Sequence, residues 1–129
     1  MSKYSNRKCR VDNIVFDSRR EARRYTNLLL LVRAGEIHDL QLQVRFELIP
    51  NQYAPSTELY TRGINKGKPK PGKLLERKVE YIADFVYKTK DGQTVVEDAK
   101  GYKGGGAYMV FVIKRKLMLK EYGIIVREV

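Results

Sequence analysis

The chain has 129 residues, a net charge of +11 and one cysteine, which predicts a single domain with one hydrophobic core and no disulfide within the chain. It has no apolar run of the roughly 18 residues that a membrane-spanning helix needs and no apolar segment behind its basic N-terminus. We therefore expect neither a transmembrane nor a secreted protein, and the lone cysteine fits a reducing, intracellular compartment. Because a small domain this basic attracts polyanions, nucleic acid is the expected partner.

The first third of the chain predicts a basic arm, a short hairpin and a helix. Residues 1–10 are rich in Lys and Arg, and residues 11–16 have the pattern of a hairpin. Ser18 and Glu21 have the spacing of a capping box, in which a Ser at the N-cap and a Glu three residues later bind free backbone N–H groups. Apolar residues then recur at helical spacing up to Gly35, which is typical of a helix end.

The middle of the chain predicts a strand and then a long basic loop. Residues 40–48 alternate apolar and polar side chains, the pattern of a half-buried strand, and Gln43 on its polar side is expected to be a simple surface residue. In residues 51–74 the apolar pattern lapses and Gly and Pro alternate with lysines, which predicts an inserted loop. The lysines of this loop are Lys66, Lys68, Lys70 and Lys73.

Residues 79–88 predict a strand that carries a carboxylate among apolar side chains. Side-chain alternation puts Asp84 on a face whose other members are apolar, which is typical of a central strand. The opposite face carries aromatic side chains, those of Tyr81, Phe85 and Tyr87. An ionised carboxylate is costly to bury without a partner, so we expect Asp84 to bind a ligand.

Residues 94–100 predict a second strand with an acid and a base on one face. Asp98 and Lys100 point the same way, with Cα atoms about 7 Å apart. Glu97 points to the reverse face, beneath a helix or to solvent, and is expected to lie outside the site. A displacement of the pattern by one residue would instead exchange Glu97 and Asp98.

The turn between these strands decides whether the two aspartates face each other. A two-residue turn would pair Asp84 with Ala99 and leave the aspartates on opposite faces. A three-residue loop over residues 90–92 would place Asp84 across from Asp98, and it requires a left-handed residue at its third position, which Gly92 supplies. The sequence therefore predicts the register that brings the aspartates together.

The last part of the chain predicts a glycine hinge, a second helix and a closing strand. Glycines occupy residues 104–106, helical spacing extends over residues 107–122, and residues 124–126 are apolar. Lys114 and Lys116 lie on this helix, either as solvated side chains or as contacts to phosphate. The predicted inward face of the helix consists of Val110, Ile113, Leu117 and Met118.

The predicted order of helix, three strands, helix and strand indicates an α/β fold. Its sheet would be mixed, with an antiparallel meander and a last strand parallel to the one that carries Asp98. Asp84, followed after thirteen residues by Asp98-Ala99-Lys100, resembles the signature of the PD-(D/E)XK nuclease superfamily. The longer runs YIADFVY and VVEDAKG are similar to small phage proteins of that superfamily that resolve Holliday junctions or cut related structures. This resemblance covers nearly the whole chain except the arm and the basic loop, and it implies an αβββαβ restriction-endonuclease-like core.

The resemblance also implies an activity and roles for these residues. It implies a Mg²⁺-dependent endodeoxyribonuclease, with Mn²⁺ as a substitute ion, in which Asp84, Asp98 and the backbone carbonyl of Ala99 hold the metal. Lys100 would position the attacking water. Related nucleases often supply one more carboxylate from the first helix, and Glu21 occupies the matching place, although its role as a helix cap explains it equally well.

The expected substrate is branched DNA, and the expected assembly is a two-fold homodimer that makes paired cuts. Lys114, Lys116 and the loop lysines would contact the DNA backbone, and a phage origin would place the protein in the bacterial cytoplasm. Two alternatives stay open. One is a basic nucleic-acid-binding protein without a working metal site, and the other is an endonuclease that acts on linear duplex DNA.

Overall fold

The structure is a computed structural model that describes residues 8–129, so residues 1–7 of the predicted basic arm lie outside the described residues. A mixed sheet and two helices build the part of the chain that carries the candidate site. The elements in chain order are β1 (Cys9–Val11), β2 (Ile14–Phe16), α1 (Arg19–Arg33), β3 (Ile37–Ile49), β4 (Gln52–Tyr53), β5 (Leu74–Glu76), β6 (Val79–Thr89), β7 (Thr94–Asp98), α2 (Gly105–Tyr122) and β8 (Arg127–Glu128).

The central sheet has the strand order β3-β6-β7-β8. Strand β6 is antiparallel to β7, and β8 is parallel to β7. Helix α1 precedes the first of these strands, and α2 forms the connection between β7 and β8. This arrangement confirms the predicted α/β fold, with its mixed sheet and its parallel last strand. Within residues 8–129 neither helix has the length and apolar character that crossing a membrane would require.

The chain divides into two compact units. Among the described residues, one consists of residues 8–46 and Tyr81–Val129, and the other is Glu47–Glu80, which contains the predicted basic insertion. The insertion is more ordered than the predicted loop, because β4 pairs with β5 and a bridge joins Leu59 to Pro69. Antiparallel pairing needs only backbone N–H and C=O groups, so it forms here without a period of apolar side chains.

Helix α1 begins as predicted and covers one face of the sheet. The Ser18 hydroxyl accepts a hydrogen bond from the Glu21 backbone N–H at 3.1 Å, which is the N-cap half of the capping box. The helix then buries apolar side chains in one cluster with residues of β2, β6 and β7. The buried members of this cluster include Tyr25, Leu28, Phe16, Phe85, Tyr87 and Val95.

The turn between β6 and β7 has the predicted three-residue form. The Thr89 N–H donates to the Gln93 carbonyl at 3.0 Å, and Gly92 has the left-handed φ of 81° that this loop needs. The ladder pairs Phe85 with Glu97, and continuing it by one residue sets Asp84 across from Asp98. The predicted register is confirmed.

The predicted inward face of α2 is partly wrong. Val110 and Ile113 are 52% and 57% exposed, whereas Phe111 and Met118 are buried. Residues 110–113 are all apolar, so helical periodicity alone does not select a face. The ring of Phe111 decides it, since an aromatic side chain buries more area than Val or Ile and pairs with other rings. Its centroid lies 6.2 Å from that of Tyr81.

Candidate metal centre

A cleft of about 900 Å³ in the first unit brings together the residues that the sequence analysis singles out. Asp84 enters it from β6, and Asp98, Ala99 and Lys100 enter it from the end of β7. Glu21 from the first turn of α1 lines the same cleft. Three separate elements therefore supply carboxylates to one place, and an ammonium group lies among them.

Asp98 is buried, and both of its carboxylate oxygens have a donor. The Tyr81 hydroxyl donates to Oδ2 at 2.7 Å, and the Lys100 ammonium lies 2.9 Å from Oδ1. Burial and the neighbouring Asp98 charge raise the pKa of the Tyr81 hydroxyl far above its usual value, so it stays a donor at any physiological pH. Asp98 is thus fixed in orientation from both sides.

The position of Tyr81 departs from the alternation predicted for β6. The sequence places Tyr81 on the face of Phe85 and Tyr87, but its ring packs on Phe111 of α2 and its hydroxyl reaches Asp98. Phe85 and Tyr87 instead belong to the cluster packed against α1. The contact gives a buried carboxylate a donor that it would otherwise lack.

Lys100 is held by an aromatic ring as well as by Asp98. Its Nζ atom lies 4.3 Å from the centroid of Phe111, a cation–π distance. The burial of Phe111 that overturns the predicted face of α2 therefore has a consequence at the site. It gives the ammonium group a second, fixed neighbour.

Asp84 accepts hydrogen bonds from the main chain of β7 and from a side chain of β3. The Ala99 N–H donates to Oδ2 at 2.8 Å, and the Gln43 amide donates to Oδ1 at 3.3 Å. Gln43 has a φ of 53°, which is uncommon for a residue with a side chain and is often found at functional sites. Gln43 is exposed as predicted, but it also contacts the site.

Glu21 and Asp84 crowd negative charge into the cleft. Burial, followed by the charges of Asp84, Asp17 and Asp98, raises the pKa of Glu21 to about 7. Burial, followed by the Asp98 charge, raises the pKa of Asp84 to about 6. A proton is therefore retained between them at mildly acidic pH, in a place that also suits a cation.

The donor set fits Mg²⁺, since hard carboxylate and carbonyl oxygens are the ligands this ion takes. Within residues 8–129 no three acidic, His or Cys side chains already converge as a complete metal-binding group. The Asp84 and Asp98 carboxylates instead accept hydrogen bonds from donors of the chain. Side-chain rotation at Asp84, Asp98 or Glu21 would accompany metal binding.

Glu97 lies beneath α1 and does not line the cleft. Its two oxygens accept from the Arg24 guanidinium at 2.7 and 2.6 Å, and it also accepts a hydrogen bond from the Tyr87 hydroxyl. Of the two orientations predicted for Glu97, the one beneath a helix is the one found. The ion pair joins α1 to β7, one helical turn after Glu21 and one residue before Asp98.

Comparison with known proteins gives a family. The model of a family described as "Protein of unknown function (DUF1064)" matches residues 1–127. The chain belongs to the DUF1064 family. No curated protein and no solved structure matches it.

The lysines predicted to contact DNA are not part of the cleft lining. Lys114 is partly buried and Lys116 is exposed on α2 of the DUF1064 chain. The loop lysines belong to the second unit and are exposed, and one of them, Lys70, lies 4.0 Å from Glu58.

The raised pKa values predict how the stability of this DUF1064 protein depends on pH. Because Glu21 and Asp84 bind protons more tightly in the folded state than in the unfolded state, the free energy of unfolding in EDTA should fall as the pH rises from about 4 to about 7.5. Solvent screens the half-buried Glu21, so we expect a loss of about 1–2 kcal/mol. Urea unfolding at several pH values measures it.

Asp84→Asn removes one charge from the cluster and isolates this contribution from other titrating groups. The variant should lose less stability than the wild type over the same pH range, and Mg²⁺ should stabilise the wild type more. Asp91→Asn in the exposed turn is the matched control and should follow the wild type. Identical pH profiles for Asp84→Asn and the wild type would contradict the prediction.

Proposed function

We propose that this protein is a Mg²⁺-dependent endodeoxyribonuclease of the PD-(D/E)XK type that cuts branched DNA, as the phage Holliday junction resolvases do. The observation that supports this best is the meeting of Asp84, Asp98 and Lys100 in one cleft. The matching order of elements and the net charge of +11 support it further. Nothing in the packing of the sheet requires two acids and a base at this place, and burying them is costly.

The side chains of the cleft would have different roles in the reaction. Asp84 and Asp98, together with the carbonyl of Ala99 and the carboxylate of Glu21, would hold Mg²⁺ or Mn²⁺. When bound, the ion neutralises charge on the phosphate and makes a coordinated water more acidic. Lys100, whose ammonium is held close to Asp98, would orient the attacking water. By the resemblance, in-line attack would leave 5′-phosphate and 3′-hydroxyl ends.

Basic side chains outside the cleft would hold the DNA backbone. We assign this role to Lys114 and Lys116 on α2 and to the exposed loop lysines of the second unit, which are Lys66, Lys68, Lys70 and Lys73. A homodimer would supply two cleavage sites for paired cuts across a junction. An intracellular protein, in a bacterial host if it is of phage origin, would meet such junctions during recombination.

A second candidate is a nucleic-acid-binding protein without catalysis. The observation that favours it is the net charge of +11, which attracts nucleic acid whether or not a metal is bound. Calorimetry with Mg²⁺ and Mn²⁺ separates the candidates, because this alternative predicts DNA binding without metal binding. The same titration on Asp84→Asn tests whether any heat comes from the cleft.

The proposed activity is tested by cleavage of a four-way junction, a fork, a flap and a linear duplex that share the same arm sequences. We expect cutting in Mg²⁺ and none in EDTA. At moderate salt, where nonspecific attraction is screened, branched DNA should be preferred. Equal cutting of all four substrates would support an endonuclease for linear duplex DNA instead. DNA binding without cutting in Mg²⁺ or Mn²⁺ would overturn the proposal.

The loop lysines of the second unit should attract the DNA backbone by their charge and should not distinguish one DNA sequence from another. Replacing the four loop lysines with Gln should weaken DNA affinity and lower the slope of log K against log salt by up to about 0.9 per lost phosphate contact. The replaced residues are Lys66, Lys68, Lys70 and Lys73. Fluorescence anisotropy in EDTA over a salt series measures the slope.

A smaller pair of variants provides the matched comparison. Replacing Lys66 and Lys68 should lower the salt slope, whereas replacing Lys88 and Lys90 at the β6–β7 turn should change it less. Lys90 is already near an acid, with Nζ 3.3 Å from Glu36. A salt slope for the Lys66 and Lys68 variant equal to that of the wild type would mean that these lysines do not contact DNA.

A further inference from the structure

The second unit carries a hairpin whose tip is closed by backbone hydrogen bonds. The Tyr60 N–H donates to the Lys68 carbonyl at 3.0 Å, and the Gly67 N–H donates to the Tyr60 carbonyl at 2.8 Å. The bridge between Leu59 and Pro69 lies directly below them. The tip therefore consists of residues 61–67 on a paired base, and it is a shaped projection of this unit.

Two glycines shape the tip around an isoleucine. Gly63 and Gly67 have left-handed φ values of 77° and 82°, and the Lys66 N–H closes a turn on the Gly63 carbonyl at 3.1 Å. Ile64 lies within this turn and is 94% exposed, the most exposed large apolar side chain among residues 8–129. Its side chain buries almost no area in the fold, so packing does not explain why this residue is apolar.

The residues next to Ile64 in the sequence carry only positive charge. Arg62, Lys66 and Lys68 are exposed, and the sequence has no acidic residue from position 59 to position 75. Glu58 at the base of the hairpin lies next to Lys70. An exposed isoleucine alone would be ordinary, but an isoleucine at a hairpin tip with cationic residues on both sides of it in the sequence fits a particular kind of surface.

That surface is a nucleic acid whose bases are accessible between its phosphates. Proteins that bend or open DNA insert single apolar side chains, isoleucine among them, between bases, while Arg and Lys bind the flanking phosphates. A membrane fits less well, because one isoleucine contributes only about 1.5–3 kcal/mol of burial and stable anchoring takes a larger apolar area. A polyanion with an apolar slot matches both features of the tip.

We propose that Ile64 is a wedge that inserts between bases at a point where stacking is already broken, such as the branch point of a DNA junction. The partner, DNA, rests on the proposed function. Opening an intact base step costs a few kcal/mol, about what one buried isoleucine returns. Insertion is therefore favourable where a branch has already unstacked the bases. The wedge gives the second unit a preference for branched DNA that the phosphate-binding cations do not provide.

The test uses 2-aminopurine, a base whose fluorescence rises when it is unstacked. It is placed at the branch point of a four-way junction and, separately, inside a linear duplex, with the full-length protein in EDTA. Wild-type protein should raise the fluorescence at the branch point. Ile64→Ala should remove most of that rise and lower the ratio of junction affinity to duplex affinity by about tenfold. Ile64→Leu should preserve both.

Matched variants separate the wedge from charge and from general surface effects. Ile125→Ala removes an isoleucine of the first unit that is 74% exposed and should change neither readout. Arg62→Gln should weaken binding to junction and duplex equally. Because these residues are exposed, the variants should fold, and circular dichroism verifies this.

The outcomes also separate the wedge from the nuclease. Wild-type protein that binds the junction without a rise in fluorescence, or Ile64→Ala with an unchanged affinity ratio, would overturn the wedge and leave the cleavage assay to decide the nuclease. A fluorescence rise that depends on Ile64, with no cleavage in Mg²⁺, would support the wedge and overturn the nuclease. Absence of DNA binding would overturn both.

Discussion

Asp84→Asn, Asp98→Asn and Lys100→Ala should each lower DNA cleavage by about three orders of magnitude or more, with DNA affinity in EDTA nearly unchanged. The two carboxylates would be metal ligands, so their amide variants should also bind Mg²⁺ more weakly in calorimetry. Lys100→Ala should keep metal binding and lose the orientation of water. Single-turnover cleavage of a four-way junction measures the rates.

Neighbouring acids provide the controls for these variants. Asp91→Asn changes an exposed aspartate of the β6–β7 turn and should cut at the wild-type rate. Glu97→Gln should also retain cleavage when it is measured at a temperature at which the variant is folded. Retained activity in Asp98→Asn together with lost activity in folded Glu97→Gln would show that the motif is displaced by one residue.

Arg24→Met should lower the free energy of unfolding by about 3–5 kcal/mol, because it leaves the Glu97 carboxylate buried without its cation. The Glu97 side chain is only 1% exposed, so water does not replace the lost guanidinium. For a chain of this length the loss corresponds to a drop in Tm of about 10 °C or more. Urea unfolding and a thermal scan measure it.

Two further variants test whether the ion pair causes this loss. Arg23→Met replaces an exposed arginine of the same helix and should change stability by less than about 0.5 kcal/mol. Combining Arg24→Met with Glu97→Leu should recover much of the stability, since no buried charge is then left unpaired. An equal loss of unfolding free energy in Arg23→Met and Arg24→Met would show that the ion pair between Arg24 and Glu97 is not the cause of the loss.

Local patterns in the sequence predict the elements and the pairing of β6 with β7. Gly92 selects the three-residue turn, and that turn alone determines which residue faces Asp84. Ser18 sets the start of α1, as predicted, and Gly123 in a left-handed conformation ends α2. These features depend on a few neighbouring residues, so they can be read from the chain directly.

The residues that hold the side chains of the cleft in position could not be predicted from such local patterns. Gln43 contacts Asp84 across 41 positions of sequence, and its positive φ has no local sequence signal. The position of Lys100 depends on Phe111, and the burial of Phe111 depends on the ring of Tyr81 rather than on helical periodicity. Contacts between distant elements follow from packing, which periodicity does not describe.

The ion pair between Arg24 and Glu97 anchors α1 close to Glu21, so a tilt of the helix about this anchor moves the Glu21 carboxylate only a short distance. The anchor lies three residues from Glu21, about 4.5 Å along the helix axis. If α1 tilts by about 5° around this anchor, Glu21 moves by about 0.4 Å, whereas the same tilt around Arg33 would move it by about 1.6 Å. A metal ligand needs placement to within roughly 0.5 Å, so the anchored helix would keep the Glu21 carboxylate in register with Asp98 through a tilt of this size.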